Sequence, residues 1–292
     1  MELSWPMKLR IAAAATIGVL LIGILAWPFA EPFSAVKAMG SRGAVVLVVL
    51  AFAAGFIGYF VSWPFGREIG ILAVPFGLAI WAVRSGSMAG LIQLNPTAAQ
   101  RQALVASLRL EPFFWLIIVA AGFAGVLLGQ KLSPNRNLAT QEKSKSGPGK
   151  YLNAILALVC SGFIAQFCIR IIAQDVRVFD DNIRRSVIAQ PAVGQVVFAI
   201  LVSYGCAAFV AKKFLNVSYI WPSIASAFVT AFMATVYARE VPYLVQNWPA
   251  AFFSNSVISI LPVQMVAFGT LGSVAGYWMA IRYEYWRKHE IK

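Results

Sequence analysis

Eight runs of apolar residues succeed one another along this chain, at about 10–29, 43–62, 65–84, 113–130, 151–173, 194–213, 219–238 and 257–281. A helix needs roughly 20 residues to cross the ~30 Å hydrocarbon core of a bilayer. Lipid offers the backbone no hydrogen-bond partner, so a chain of this kind must close its own bonds within helices. The pattern predicts an all-α, polytopic transmembrane bundle of about eight spans.

Composition excludes the soluble alternative. Hydrophobic residues make up 60% and charged residues 12% of the 292, against about half and about a quarter in soluble domains. A water-soluble fold of this length could not hide so much apolar surface. The net charge of +13 would suggest nucleic acid in a soluble protein. Here the cations sit between the apolar runs rather than in one stripe, so no nucleic-acid partner is expected and the first partner is the lipid bilayer.

With the N-terminus inside, the inner segments carry 14 Lys and Arg and the outer loops carry 9, with Arg170 inside a span completing the 24. This bias predicts a cell (inner) membrane protein with both termini cytoplasmic. Lys8 and Arg10 before the first run would also suit a signal peptide, but Trp27-Pro28-Phe29 stands where a small-residue cleavage site belongs. The first run is therefore read as an uncleaved span. The third run is the weakest, since Pro64 to Gly70 interrupts its start with Arg67 and Glu68. Trp27, Trp63, Trp81, Trp115, Trp221 and Trp278 lie near run ends, where an aromatic belt is expected.

The stretch Lys131–Lys150, rich in Pro, Gly, Ser and cations, reads as a basic cytoplasmic linker. It separates an N-terminal half, 1–130, from a C-terminal half, 151–292, with four spans each. Sliding the chain against itself by 147 residues pairs Gly122, Gly125 and Gly129 with Gly269, Gly272 and Gly276, Gly58 with Gly205, and Pro75 with Pro222. This grouping suggests two tandem four-helix halves. Because four is even, they would share one orientation, about an axis along the membrane normal. In the loops, Asn95-Pro96-Thr97 opens a short interfacial helix to Leu110, with Leu104 and Leu108 on its apolar side and Arg101 and Arg109 on its polar side. Phe179–Ala189 and Tyr243–Phe253 are read as similar helical stretches.

Small residues recur at helical spacing: Ala51, Gly55, Gly58 and Ser62, then Gly122, Gly125 and Gly129, then Gly269, Gly272 and Gly276. Such faces let helix backbones approach closely; the alternative is a smooth substrate path. Pro75 and Pro262 are the kink candidates, and Pro222 reads as a first-turn proline. Arg170, with Gln166 four residues earlier on the same face, is a candidate for a substrate path or a lipid contact. It lies near a span end, where it can also snorkel or pair with Asp175. Gln264 is the other buried polar candidate, and Ser223, Ser226 and Thr230 form a weaker polar face. Cys160, Cys168 and Cys206 lack metal-ligand spacing and read as small core residues.

Absences narrow the function. No Asp, Glu or His falls in the body of a span, which disfavours proton- and cation-coupled carriers. The only histidine, His289, sits in a basic tail that reads as an interfacial anchor. No catalytic set, metal site or phosphate loop is present in the sequence, so neither cofactor nor enzyme is expected. Two functions stay open. One is a permease or channel-like protein for a small neutral or anionic solute. The other is a non-catalytic subunit or scaffold that binds partner helices, lipids or a second copy of itself.

Overall fold

A computed structural model of the chain describes residues 4–29, 41–133, 149–181, 184–247 and 252–290. Most of the linker (134–148) and residues 248–251 lie outside the described residues, as does the side chain of His289. The described chain is helical apart from three short strands, and six of its helices are long and apolar enough to cross a membrane. This is a polytopic, all-α membrane protein. Contacts divide it into two compact units, Met1–Trp81 with Leu116–Ala154, and Ala82–Trp115 with Ile155–Lys292.

The first unit contains α1 (Trp5–Gly18), which continues as a wider helical turn over Val19–Leu25, then α2 (Ser41–Val61), α3 (Arg67–Gly70), α4 (Ala73–Arg84) up to Trp81, and α7 (Glu111–Leu132) from Leu116. Helices α1 and α2 run antiparallel, and Arg10 Nη1 donates to the Val61 carbonyl at 2.9 Å. Helix α4 runs parallel to α1, since Gly18 meets Ala73 and Gly23 meets Ile80. Likewise α7 runs parallel to α2. Gly125 rests on the carbonyl of Phe52 and Gly129 on the ring of Tyr59.

The second unit repeats this alternation. It holds α5 (Met88–Gln93), α6 (Ala98–Leu108), α8 (Gly149–Ile172) from Ile155, α9 (Val193–Leu215), α10 (Ile220–Asn247) and α11 (Pro262–Glu290). Gly162 packs toward Val229 and Gln166 contacts Met233, so α8 and α10 are parallel. Gly272 meets Leu201 and Gly276 meets Gly205, so α9 and α11 are parallel too. Helix α1 thus points the same way as α4, α2 as α7, α8 as α10 and α9 as α11. Helix α9 ends at Asn216, whose left-handed conformation (φ 50°) brings its N–H back to the Lys212 carbonyl.

Two of the eight expected spans depart from the simple pattern. Helix α4 has 12 residues, about 18 Å of rise, because the Pro64–Gly70 interruption takes the start of its run. Helix α11 has 29 residues but is less apolar than the six. Every residue from 256 to 270 is buried, so protein rather than lipid surrounds the nine residues that open the helix.

Other expectations are corrected. The stretch expected to be helical at Phe179–Ala189 is a hairpin, β1 (Arg177–Asp180) against β2 (Arg185–Ala189), with β3 (Phe252–Phe253) added at the other edge. The two strands pair from Arg177 with Ile188 to Asp180 with Arg185, and the β-branched Val178, Val187 and Ile188 suit extended backbone. In the Tyr243–Phe253 stretch, α10 itself continues to Asn247. Trp81 and Trp115 are fully buried instead of lying in an aromatic belt. Trp81 stacks edge-on against Trp27 at 4.9 Å, and Trp115 donates to Glu111 at 2.7 Å. Cys160 and Cys206 are exposed on their helices, so they are not core residues.

Candidate functional site

The second unit holds the polar side chains that a site would need. Gln264, in the first turn of α11, is 2% exposed. Its Oε1 accepts from the Leu261 N–H at 3.2 Å, and its Nε2 donates to the carbonyls of Gly86 at 3.1 Å and Ala82 at 3.4 Å. Gln190 does parallel work. Its Oε1 accepts from Ala89 N–H at 3.1 Å, and its Nε2 donates to the Ser259 carbonyl at 3.1 Å. Together the two amides tie the 82–90 turn to the chain before α11. Gln195 joins the end of α8 to the start of α9 through the carbonyls of Ile172 and Gln174. These amides satisfy backbone groups that α-helical bonding leaves over at helix ends.

Arg170 and Gln166 are not brought to Gln264 by any contact in the described residues. Arg170 is exposed in the last turn of α8, and its carbonyl accepts from Gln174. Gln166 donates to the sulfur of Met233 at 3.3 Å. Ser223, Ser226 and Thr230 bond back to carbonyls of their own helix at 2.6–2.9 Å.

Pro75 is the third residue of α4 and Pro262 the first of α11. Both stand in a first turn, where a missing N–H breaks no helical bond, so neither kinks its helix. The proline inside a helix is Pro242, in α10.

The glycine faces lie on helix seams. A Cβ on Gly55 would strike the Gly122 carbonyl, and one on Gly276 the Gly205 carbonyl. Gly269 stands against Ser226 and Tyr204, while Gly122 stands against Val74, and Gly58 against Ala73.

Sequence reading missed one cluster. Arg101 was assigned to the polar side of α6, yet it is 6% exposed and its Nε donates to the Asn95 carbonyl at 2.9 Å. Thr97 caps that helix, its hydroxyl accepting from Gln100 N–H while the Gln100 side chain returns to the Thr97 N–H. The turn from Asn95 thereby lies over the first coil of α6, within reach of Arg101. Arg101, Met88, Leu104, Thr230, Met233 and Tyr237 border a cavity of about 20 Å³. By that measure one water needs ~10–15 Å³, so the cavity has room for about one water. Arg101 and Glu240 both lie within Coulombic reach of Tyr237. Helix α10 carries Glu240 because it runs nine residues past the expected span end at 238, and Glu111 likewise belongs to α7. Carboxylates therefore do sit in the long apolar helices. A Thr three residues before a Gln was the available capping signal for α6.

A second set of groups is unpaired. The hydroxyls of Ser203, Tyr204 and Thr270 are fully buried and have no hydrogen-bond partner among the described residues. Ser161 on α8 is in the same state. Among the described residues no group of three or more His, Cys, Asp or Glu could hold a metal ion. The chain matches no protein-family model, no curated protein and no solved structure.

Proposed function

We propose that the chain is a non-catalytic membrane subunit or scaffold, built from a duplicated four-helix unit that crosses the bilayer eight times, with both termini in the cytoplasm. The observation that carries the reading is the fate of Gln264. Its amide, a buried candidate for a solute contact, already bonds three backbone groups, and both of its N–H bonds are used. Arg170, the other candidate, faces outward. Glycine seams close the helices onto one another, and the cavity beside Arg101 has room for one water. A molecule arranged in this way offers surfaces rather than a passage.

The duplication draws support from matching seams. Gly125 rests on α2 at Phe52 and Gly272 on α9 at Leu201, and each pair is parallel. The unmatched part is polar. Under the 147-residue shift Ser203, Tyr204 and Thr270 stand where Phe56, Ile57 and Phe123 stand in the first half.

That difference favours the second reading, a permease for a small neutral solute, because unpaired hydroxyls inside a bundle could bind such a solute in an open state. Proteoliposomes separate the two. The scaffold reading expects shrinkage in hyperosmotic glycerol, urea or chloride at the rate of empty vesicles. Faster equilibration of any one solute, abolished by Tyr204→Phe with Thr270→Val, would establish the permease instead.

A further inference from the structure

The C-terminal ends of α9 and α11 form a basic, aromatic face. Lys212 follows Val193 by 19 residues and Arg282 follows Pro262 by 20, about 29 and 30 Å of helical rise. That is one hydrocarbon thickness. Because the two helices are parallel, their cations emerge at the same depth, on the same side. Helix α11 does not stop there; it continues through two more turns to Glu290, carrying Arg287 and Lys288.

Lys212, Lys213 and Arg282 each stand over aromatic rings. Lys213 Nζ stands 4.7 Å from the centroid of Tyr283 and 5.4 Å from that of Phe214. Lys212 Nζ lies 5.5 Å from Tyr277 and is 2.5 Å from Asn216 Oδ1. The Arg282 guanidinium stacks on Trp286 at 4.5 Å. Phe209 and Tyr283 meet edge-on at 5.9 Å, which fixes the two helices together beneath the cations. A ring face attracts a cation but leaves its N–H bonds for a stronger acceptor. One of them is conspicuously idle. Arg282 Nε is buried and has no hydrogen-bond partner among the described residues.

We infer that this face binds the phosphate headgroup of an anionic phospholipid, with Arg282 and Lys213 as its principal contacts. By sequence, these ends of α9 and α11 carry five cations (Lys212, Lys213, Arg282, Arg287, Lys288) and two acids, Glu284 and Glu290, so the local charge selects an anionic headgroup over a zwitterionic one. A guanidinium presents Nε and a terminal nitrogen as a fork that fits two phosphate oxygens. Trp286 is 43% exposed, so it can shift to let an oxygen reach Nε. Tyr285 and Trp286, half-exposed at the same level, suit the zone where acyl chains give way to headgroups. The inference needs only that the chain is embedded, and it stands whether the protein is a scaffold or a permease.

The test uses the full chain in detergent micelles, titrated with dioleoyl-phosphatidylglycerol or dioleoyl-phosphatidylcholine and read by native mass spectrometry and by melting temperature. Wild type should retain phosphatidylglycerol in preference to phosphatidylcholine and melt higher with it. Each cation removed should weaken retention about fivefold, so Lys213→Gln with Arg282→Gln should lose the preference while Lys131→Gln keeps it. Arg282→Lys should fall between wild type and Arg282→Gln, because charge remains and the fork is lost. Equal retention of both lipids by wild type would overturn the inference even if the double variant does not fold. So would an unchanged preference in a folded double variant, or an equal loss in Lys131→Gln. Displacement of the lipid by millimolar glycerol phosphate or inorganic phosphate would overturn it as well, by showing that free phosphate is the ligand.

Discussion

A Cβ built on Gly272 of α11 would stand 2.5 Å from the carbonyl oxygen of Leu201 on α9. In lipid there is no hydrophobic effect to press helices together, so such close backbone approach carries much of the association. Backbone cannot turn aside as a side chain can. Gly272→Val should therefore cost at least the ~1–3 kcal/mol of an overpacked core and separate α9 from α11. The same change at Gly194, where nothing lies within 4 Å of the added atom, should leave melting in detergent unaltered. If Gly272→Val melts with wild type, the seam is looser than described.

Gln264 predicts a local effect. Gln264→Leu keeps the volume and removes three hydrogen bonds, leaving the Leu261 N–H and the Gly86 carbonyl in a dry environment. Each buried group stranded in this way costs about 1–3 kcal/mol. Hydrogen exchange should rise first over residues 82–90 and 255–264, before it rises in α9.

Arg101 should behave as a positioning cation. Arg101→Met should lower the melting temperature by removing the bond to the Asn95 carbonyl and the charge beside Tyr237. Arg101→Lys should recover part of the loss, since it restores charge but not the Nε donor. A melting curve of Arg101→Met equal to wild type would show that the buried charge contributes nothing.

Parallel pairing within each unit fixes which loops share a side. Single cysteines introduced at Asp181 and at Arg287, in a chain with Cys160, Cys168 and Cys206 replaced by serine, should react with a membrane-impermeant maleimide from opposite faces of sealed vesicles. A cysteine at position 140 in the basic linker should react from the same face as position 287. Labelling of positions 140 and 287 from opposite faces would remove one crossing from the second unit.

Much of the fold was legible because lipid imposes a single rule on a long segment. The runs that became α1, α2, α7, α8, α9 and α10 are long and apolar enough to announce themselves. The rest depended on partners that a linear reading does not see. Arg101 looks solvated from its neighbours in sequence, and it is buried by the capped turn at Asn95 on one side and by Thr230, Met233 and Tyr237 of α10 on the other. The hairpin at Arg177–Ala189 was hidden by its charges and by apolar residues that stand in adjacent pairs, Val178-Phe179 and Val187-Ile188, rather than in alternation. Trp81 and Trp115 sit near run ends in sequence and inside the units in space, because α4 is short and α7 begins with Glu111 as an internal acceptor for the Trp115 indole. Glu240 lies two residues past the run that ends at 238, yet α10 carries it onward as unbroken helix to Asn247.

Helix α11 has a consequence for how the molecule is made. A helix whose first nine residues, 262–270, are all buried in protein draws less from partitioning into oil. Its place in the bilayer is decided by whether α9 and α10 are already waiting with their grooves open. Were α11 to cross, its insertion would then be coupled to its packing on α9 and α10. A defect in an earlier helix would then surface as a wrongly threaded end of the chain, far from the lesion itself.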